Sequence, residues 1–370
     1  MRANRRLALG TLATTLATAL LPRTALAQIA AGAHSGIAAL LAQPLTAETL
    51  AMIRTALGTP GMAAGWATGS AAPVLLADGL RAAGHPEAVE AQDKWHIGSI
   101  TKSFTATLFA RAVEAGAIGW DTRLGTVLRD VPRHYRKLSA IELLSHHAGL
   151  AANIPMPDLL ALPRIAADAR ISRRHYADLA LAMPPIARRR ERFSYSNAGY
   201  VLAARMLEEV TGLAWEDLLA REVLQPLGLA SAGFGPPGTP DSIDQPRGHD
   251  NAQPIFQDNP AAMAPSGGLH LSLPDLIVYL RAHRDRSALL APASWAQLHQ
   301  PRFGSDYALG WFVDATGALW HNGSNTAWYA EAAVEPQRDL AMALCCNDAA
   351  LLGQLKLLLP AMRAGAMTAP

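Results

Sequence analysis

Apolar residues return every three or four positions over 45–57, which predicts a helix with Thr46 placed as its cap. Two short runs, 61–67 and 73–79, read as strands parted by Thr68, Gly69 and Ser70. Trp95, His96 and Ile97 then deliver the chain to Ser99. Beyond it Ile100, Phe104, Thr107, Leu108 and Val113 fall at helical spacing, so one face of that helix is buried. Residues 121–128 read as a loop with a short turn. Ser139 and Glu142 form a capping box that starts a helix over 138–144. Helical pattern continues over 158–192, 200–211 and 215–224, and 235–265 is a long loop rich in Pro, Gly and Asp. A helix over 274–283 follows. The pattern then turns to strands at 308–313, 319–321, 328–334 and 340–346, and a helix over 351–362 closes the chain. Strands at both ends with helices between them predict an antiparallel sheet built from both termini. The expected division is an α/β domain of 28–120 and 265–370, interrupted by a helical domain with its long loop, 121–264.

The 370 residues are 50% hydrophobic and 17% charged, ordinary globular values in a chain long enough for two cores. A net charge of +2 gives no reason to expect nucleic acid or an anionic surface as partner. The start reads as an export leader. Asn4, Arg5 and Arg6 form a positive region, 7–21 is apolar but too short to span a bilayer, and Ala25, Leu26 and Ala27 make a small-residue cleavage signal. The mature chain is expected to begin near Gln28, after a signal peptide over 1–27. Paired arginines leave twin-arginine and general export both open. No later stretch is long and apolar enough for a membrane helix, so the expected location is periplasmic or secreted. Cys345 and Cys346 are adjacent, a spacing that disfavours a bridge, and are expected to be buried in a strand. No C-x-x-C or H-E-x-x-H appears, and no metal or organic cofactor is expected.

Three small motifs carry candidate chemistry. Ser99 and Lys102 stand three apart at a helix start, on one face and within mutual reach. The chain has four lysines and one S-x-x-K. Burial lowers a lysine's pKa, a neutral amine can take a serine proton, and a helix N-terminus favours negative charge nearby. Tyr195, Ser196 and Asn197 precede a helix and form the one Y-x-N in the sequence; alone, they would be read as a helix cap. His321, Asn322, Gly323 and Ser324 lie on or just after a C-terminal strand. The H-x-G within them is weak by itself, since His34 and His147 also begin one. Other features take structural readings. His146 and His147 are expected to be hydrogen-bonded loop histidines, and Arg188, Arg189 and Arg190 a solvated face. Gly233, Gly235 and Gly238 match G-x-G-x-x-G, but the run holds two prolines and no helix follows, so no nucleotide site is inferred. Trp311, Trp320 and Trp328 read as core, with one of them open to lining an acyl site.

The order and spacing of these motifs resemble the penicillin-binding proteins and serine β-lactamases. The chain is most similar to the class C β-lactamase-related serine hydrolases, which use Y-x-N second and often H-x-G third. That group includes class C β-lactamases, DD-peptidases, D-amino-acid peptidases and family VIII carboxylesterases. The segments 143–150, 226–229, 265–269 and 307–311 look like its framework, so the resemblance spans nearly the whole mature chain. It implies a β-lactamase/transpeptidase-like fold of α and β type, an antiparallel sheet flanked by helices with an inserted all-helical domain. It implies Ser99 as the acylated nucleophile, Lys102 as the group that helps deprotonate it and keeps the local potential positive, and Tyr195 as a proton shuttle whose phenol is acidified by nearby positive charge. Asn197 would bond Lys102 or a substrate amide. The N–H groups of Ser99 and Ser324 would form the oxyanion hole, because the strand after Gly323 faces the serine. His321 would sit near Tyr195 and bind or orient substrate. It stands where the family's third motif has lysine, and Asn322 where threonine is usual. A mostly neutral histidine binds a substrate carboxylate poorly, so ester or D-amino peptide hydrolysis is expected over efficient β-lactam hydrolysis. The expected partner is a small-molecule ester, amide, lactam or D-amino peptide. The alternative, a non-catalytic protein that binds peptidoglycan or a β-lactam, predicts damage at Ser99, Lys102 or Tyr195, and each is intact.

Overall fold

The structure, a computed structural model, describes residues 39–40, 43–349 and 358–368; the leader expected over 1–27 lies outside them. Five strands and one short edge strand form the main sheet: β1 (Gly61–Thr68), β2 (Val74–Gly79), β8 (Phe312–Val313), β9 (Leu319–Ser324), β10 (Tyr329–Glu335) and β11 (Leu340–Cys346). Their order is β2-β1-β11-β10-β9-β8, every pair antiparallel, so the sheet is built from both ends of the chain as the pattern predicts.

Strand periodicity sorts the side chains onto two faces. Met62, Ala64, Trp66, Met342, Leu344 and Cys346 join one buried cluster with Leu50 and Ile53 of helix α1 (Ala47–Leu57) and Met362 of the C-terminal helix (Leu358–Thr368). Ala63, Ala67, Ala341, Ala343 and Cys345 face the other way, into the main core. The two cysteines are therefore free, buried and pointed to opposite faces, which rules out a bond between them. The residues on the main-core face are small, and helix Leu273–Asp285 packs there against β1, β10 and β11.

Beyond the sheet, strand β3 (Lys94–His96) pairs with β7 (Leu269–Ser272), which also takes β4 (Gly233–Phe234), while β5 (Gly248–Asp250) pairs with β6 (Gln253–Ile255); β3 hands the chain to a single 3-10 turn, Gly98–Ile100. That turn runs directly into helix α2 (Thr101–Glu114), whose first ten residues are all buried. Side chains as far apart as Phe104, Leu143, Tyr200 and Trp328 share the main core with it.

Several expectations are corrected. The stretch 158–192 is broken into Met156–Ala161 and Ala169–Ala182, with open chain after Met183. Pro163, Pro184 and Pro185 supply no N–H and clash with a preceding turn. The strand expected over 308–313 shrinks to β8, because Gly310, at φ +85°, turns the chain against the backbone of Ser103. Arg188, Arg189 and Arg190 are exposed, as expected of a solvated face, and Arg189 and Arg190 also reach the fully buried Glu142, at 3.5 and 2.6 Å. Glu142 also accepts the N–H of Ser139 at 2.7 Å, the expected capping contact. Among the described residues no helix is long and apolar enough to cross a membrane.

Candidate active site

The start of α2 is polar yet buried, and each polar group there has a destination. Thr101 Oγ1 accepts the N–H of Leu269, Ser103 Oγ donates to the carbonyl of Ile100, and Thr105 Oγ1 donates to the carbonyl of Pro265. Lys102 lies among them, fully buried. Its Nζ is 2.9 Å from Ser99 Oγ, 2.8 Å from Asn197 Oδ1 and 2.7 Å from the carbonyl oxygen of Ser266. Burial pushes its pKa well below the usual lysine range. A neutral amine has two N–H donors and one lone pair. Asn197 Oδ1 and the Ser266 carbonyl only accept, so in the neutral amine they would take both donors and leave the lone pair to Ser99.

Asn197 is the first residue of helix α5 (Asn197–Thr211; α3 is Ala140–Leu144 and α4 Ala169–Ala182), capped by Ser196, whose side chain accepts from Gly199. The cap reading holds for Ser196, and its neighbour Asn197 is the residue that meets Lys102. Asn197 Nδ2 donates to Asn153 Oδ1 at 3.0 Å, which fixes the amide so that its oxygen faces the amine. Tyr195 places its ring centroid 4.7 Å from Lys102 Nζ, and its hydroxyl is hydrogen-bonded to Ser99. The expected acidification of this phenol is overturned. Although Tyr195 keeps some exposed surface, desolvation is the main influence and raises its pKa; the bond to Ser99 offsets only part.

Strand β9 meets the Ser99 turn backbone to backbone. Gly98 has φ +50°, and a Cβ there would lie 2.2 Å from the nitrogen of Ser324. A Cβ on Gly323 would lie 2.0 Å from the carbonyl oxygen of Ile97 and 2.6 Å from the nitrogen of Ser99. Glycine at both places lets the two segments touch. His321, two residues earlier on the same side of β9, is buried. Its Nδ1 donates to the carbonyl of Asn322 at 2.5 Å and its Nε2 accepts from Tyr307 Oη at 3.0 Å, so both ring nitrogens are engaged in the neutral form. Burial first, then Lys102, lowers its pKa to about 3. Its ring centroid is 6.5 Å from that of Tyr195.

All of Ser99, Lys102, Tyr195, Asn197, His321, Gly323 and Ser324 thus converge. Two residues given no site role by sequence stand with them. The His146 ring is 4.3 Å from Tyr195 and 4.7 Å from Tyr307. Its Nδ1 accepts the N–H of Ser196 at 3.0 Å, and its Nε2 has no partner among the described residues. Burial, then Lys102, lowers its pKa. Tyr307 is buried and bonds His321 as described. Both lie in the framework segments 143–150 and 307–311, which was the available signal. His147 is the hydrogen-bonded loop histidine expected, through the Ser145 carbonyl at 2.7 Å. Trp311 and Trp328 are core, and Trp320 stacks on Phe312 at 4.5 Å. No cluster of three or more metal-ligating side chains occurs among the described residues.

A large hollow lies away from the nucleophile. A cavity of about 870 Å³ is walled by Arg164, Asp168, Glu216, Phe234 and Phe256. Another, of about 390 Å³, lies between Met156, Leu159, Leu160 and Asn325, one residue past Ser324. Convergent hydrogen bonds mark the reactive centre better than volume does.

The Beta-lactamase family profile matches residues 46–366. Penicillin-binding protein 4 of Amycolatopsis lactamdurans is 25% identical over 314 residues, 74% of this chain and 77% of that protein. The D-amino acid amidase of Ochrobactrum anthropi SV3, solved with L-phenylalanine amide, superposes with a TM-score of 0.72 at 19% identity, over 86% of this chain and 96% of that one. The octameric penicillin-binding protein homologue from Pyrococcus abyssi gives a TM-score of 0.69 at 20% identity, over 85% and 76%. These two likenesses concern the fold.

Proposed function

From the premise that the chain belongs to the Beta-lactamase family and is a serine hydrolase of that type, we propose that it acylates Ser99 with an ester or amide and releases the acid with water. The observation that carries this is the fully buried Lys102 Nζ, 2.9 Å from Ser99 Oγ. As Ser99 Oγ attacks the carbonyl carbon, its proton passes to Lys102 Nζ, and the carbonyl oxygen takes negative charge facing the N–H groups of Ser99 and Ser324. The tetrahedral centre collapses when Tyr195, protonated because of its burial, gives its proton to the leaving oxygen or nitrogen and is reprotonated from Lys102. Water then attacks the acyl group by the same route in reverse, and Ser99 is regenerated. Asn197 holds the amine's orientation. His321, with both nitrogens engaged, shapes the wall.

Esters and D-amino amides or peptides are the proposed substrates, ahead of β-lactams. A neutral histidine where the family's third motif carries lysine leaves a substrate carboxylate without that cation. The amidase fold neighbour, named for D-amino acids, supports the amide reading. The test compares short p-nitrophenyl esters, D-phenylalanine amide and nitrocefin on purified protein, with mass spectrometry of the stalled adduct. A burst of p-nitrophenol with acylation at Ser99 is expected, and nitrocefin as the poorest of the three. No burst and no Ser99 adduct would turn the reading to a non-catalytic binder of peptidoglycan or a β-lactam.

Two sequence readings accompany this as proposals. Export predicts a purified native product that begins near Gln28, and N-terminal sequencing that finds Met1 retained refutes it. The division at 121 and 264 predicts first proteolytic cuts near those positions, and first cuts elsewhere count against it.

A further inference from the structure

One carboxylate outside the motifs ties together the two backbone segments that meet at Ser99. Asp258, buried in the long loop after β6 (Gln253–Ile255), accepts the Nε2–H of His96 on Oδ2 at 2.9 Å. Its Oδ1 accepts the Nδ2–H of Asn325 at 2.9 Å and the N–H of Asn259 at 2.6 Å. His96 is fully buried, stacks on Trp328 with centroids 5.6 Å apart, and accepts the N–H of Gly98 on Nδ1 at 3.2 Å. Those two bonds define its tautomer: Nδ1 bare, Nε2 protonated toward the carboxylate. On the other arm, Asn325 Oδ1 accepts the N–H groups of Ala327 and Trp328 at 3.2 and 3.1 Å, closing the turn that follows Ser324. The chain of bonds Gly98–His96–Asp258–Asn325 therefore spans from the residue before Ser99 to the residue after Ser324.

Resting on the acyl-transfer reading above, we propose that Asp258 and His96 are positioning residues that set the spacing of the Ser99 and Ser324 N–H groups. They touch neither substrate nor Ser99 Oγ. Their effect is on the geometry in which a developing oxyanion is held. A buried pair with every acceptor and donor used is rigid, and donors aimed at an oxyanion lose effect when shifted by an ångström or less. The glycines explain why such a brace is needed. Gly98 and Gly323 allow close approach but have no side chains to fix it.

The test is Asp258→Asn. An amide presents one acceptor and one donor, so it cannot accept from both His96 and the Asn325 and Asn259 pair. Steady-state ester hydrolysis is measured per active site, titrated by the p-nitrophenol burst, alongside inhibition by an aryl boronic acid, whose tetrahedral Ser99 adduct puts an oxygen where the oxyanion forms. We expect kcat per titrated site to fall about 10- to 100-fold, KM to change less than about threefold, and boronate affinity to fall in step with kcat/KM. His96→Asn, which cuts only the Gly98 arm, is expected to give the same split in a smaller measure, and serves if Asp258→Asn does not fold. Wild-type kcat per site with wild-type boronate affinity in either folded variant overturns the proposal. So does a loss confined to the titrated fraction, since that is a structural role alone. A wild-type protein with no burst overturns the acyl-transfer reading itself, a result distinguishable from these.

Discussion

Lys102 and His321 are two nitrogen bases in one buried pocket, and the pocket treats their charges alike. Burial disfavours the charged form of each, and the proximity of Lys102 is the second influence on His321. They differ in what is left over. The amine gives its two donors to Asn197 and Ser266 and keeps a lone pair beside Ser99. The imidazole spends its one donor on Asn322 and its one acceptor on Tyr307. Charge state alone therefore does not identify a base in a dry site. The count of free lone pairs after hydrogen bonding does.

The strongest way to break this comparison is Lys102→Met. Loss of the lone pair is expected to lower kcat/KM for a p-nitrophenyl ester about 10⁴-fold; a variant within tenfold of wild type would remove Lys102 from the chemistry. The same variant reports on burial through stability. Lys102 has a folded pKa below its unfolded value of about 10.4, so between the two the unfolded chain binds more protons. Wild-type stability then rises with pH across that window relative to Lys102→Met, and levels off above the unfolded value. Urea melts at several pH values test the slope; a difference independent of pH would mean that Lys102 stays charged when folded.

Tyr195→Phe comes next, at about a hundredfold in kcat with an amide substrate. The effect should shrink for an ester whose leaving group needs no proton, such as p-nitrophenolate. Equal losses on both substrates would assign Tyr195 to orientation of Ser99 rather than to proton delivery.

Much of this was legible before any coordinates. The two faces of the β1–β11 pair follow from strict alternation, down to the opposed cysteines. Ser99 and Lys102 are local, three apart on a helix, so their contact is a matter of spacing. Tyr195 and His321 are distant, and only the family resemblance brought them to the same place. What stayed hidden was of two kinds. Apolar periodicity over 158–192 predicts one helix, and Pro163, Pro184 and Pro185 break it, because periodicity carries no penalty for a missing N–H. His146, Tyr307 and Asp258 were hidden for a deeper reason. His146 and Asp258 act through residues far along the chain, at positions 195 and 96, and Tyr307 through His321 on strand β9. The phenol of Tyr195 belongs with them: its acidity is set chiefly by its own burial in the folded chain.

The smallest expected effect sharpens the comparison most. His321→Gln preserves one acceptor for Tyr307 and one donor for the Asn322 carbonyl, at some cost in geometry. If the imidazole serves only as a wall, ester kcat/KM should fall no more than about fivefold, the worth of roughly one neutral hydrogen bond. The pH profile is the sharper readout. With His321 lowered to about 3, it changes charge far below the neutral range, so the rising limb of kcat/KM belongs to Lys102 and lies below the ordinary lysine value. His321→Gln should leave that limb where it is to within a few tenths of a unit, since a neutral ring exerts no field that a neutral amide would remove. A limb near 6.5 that vanishes in the variant would show that the imidazole takes up a proton during turnover, and that its two hydrogen bonds do not exhaust it.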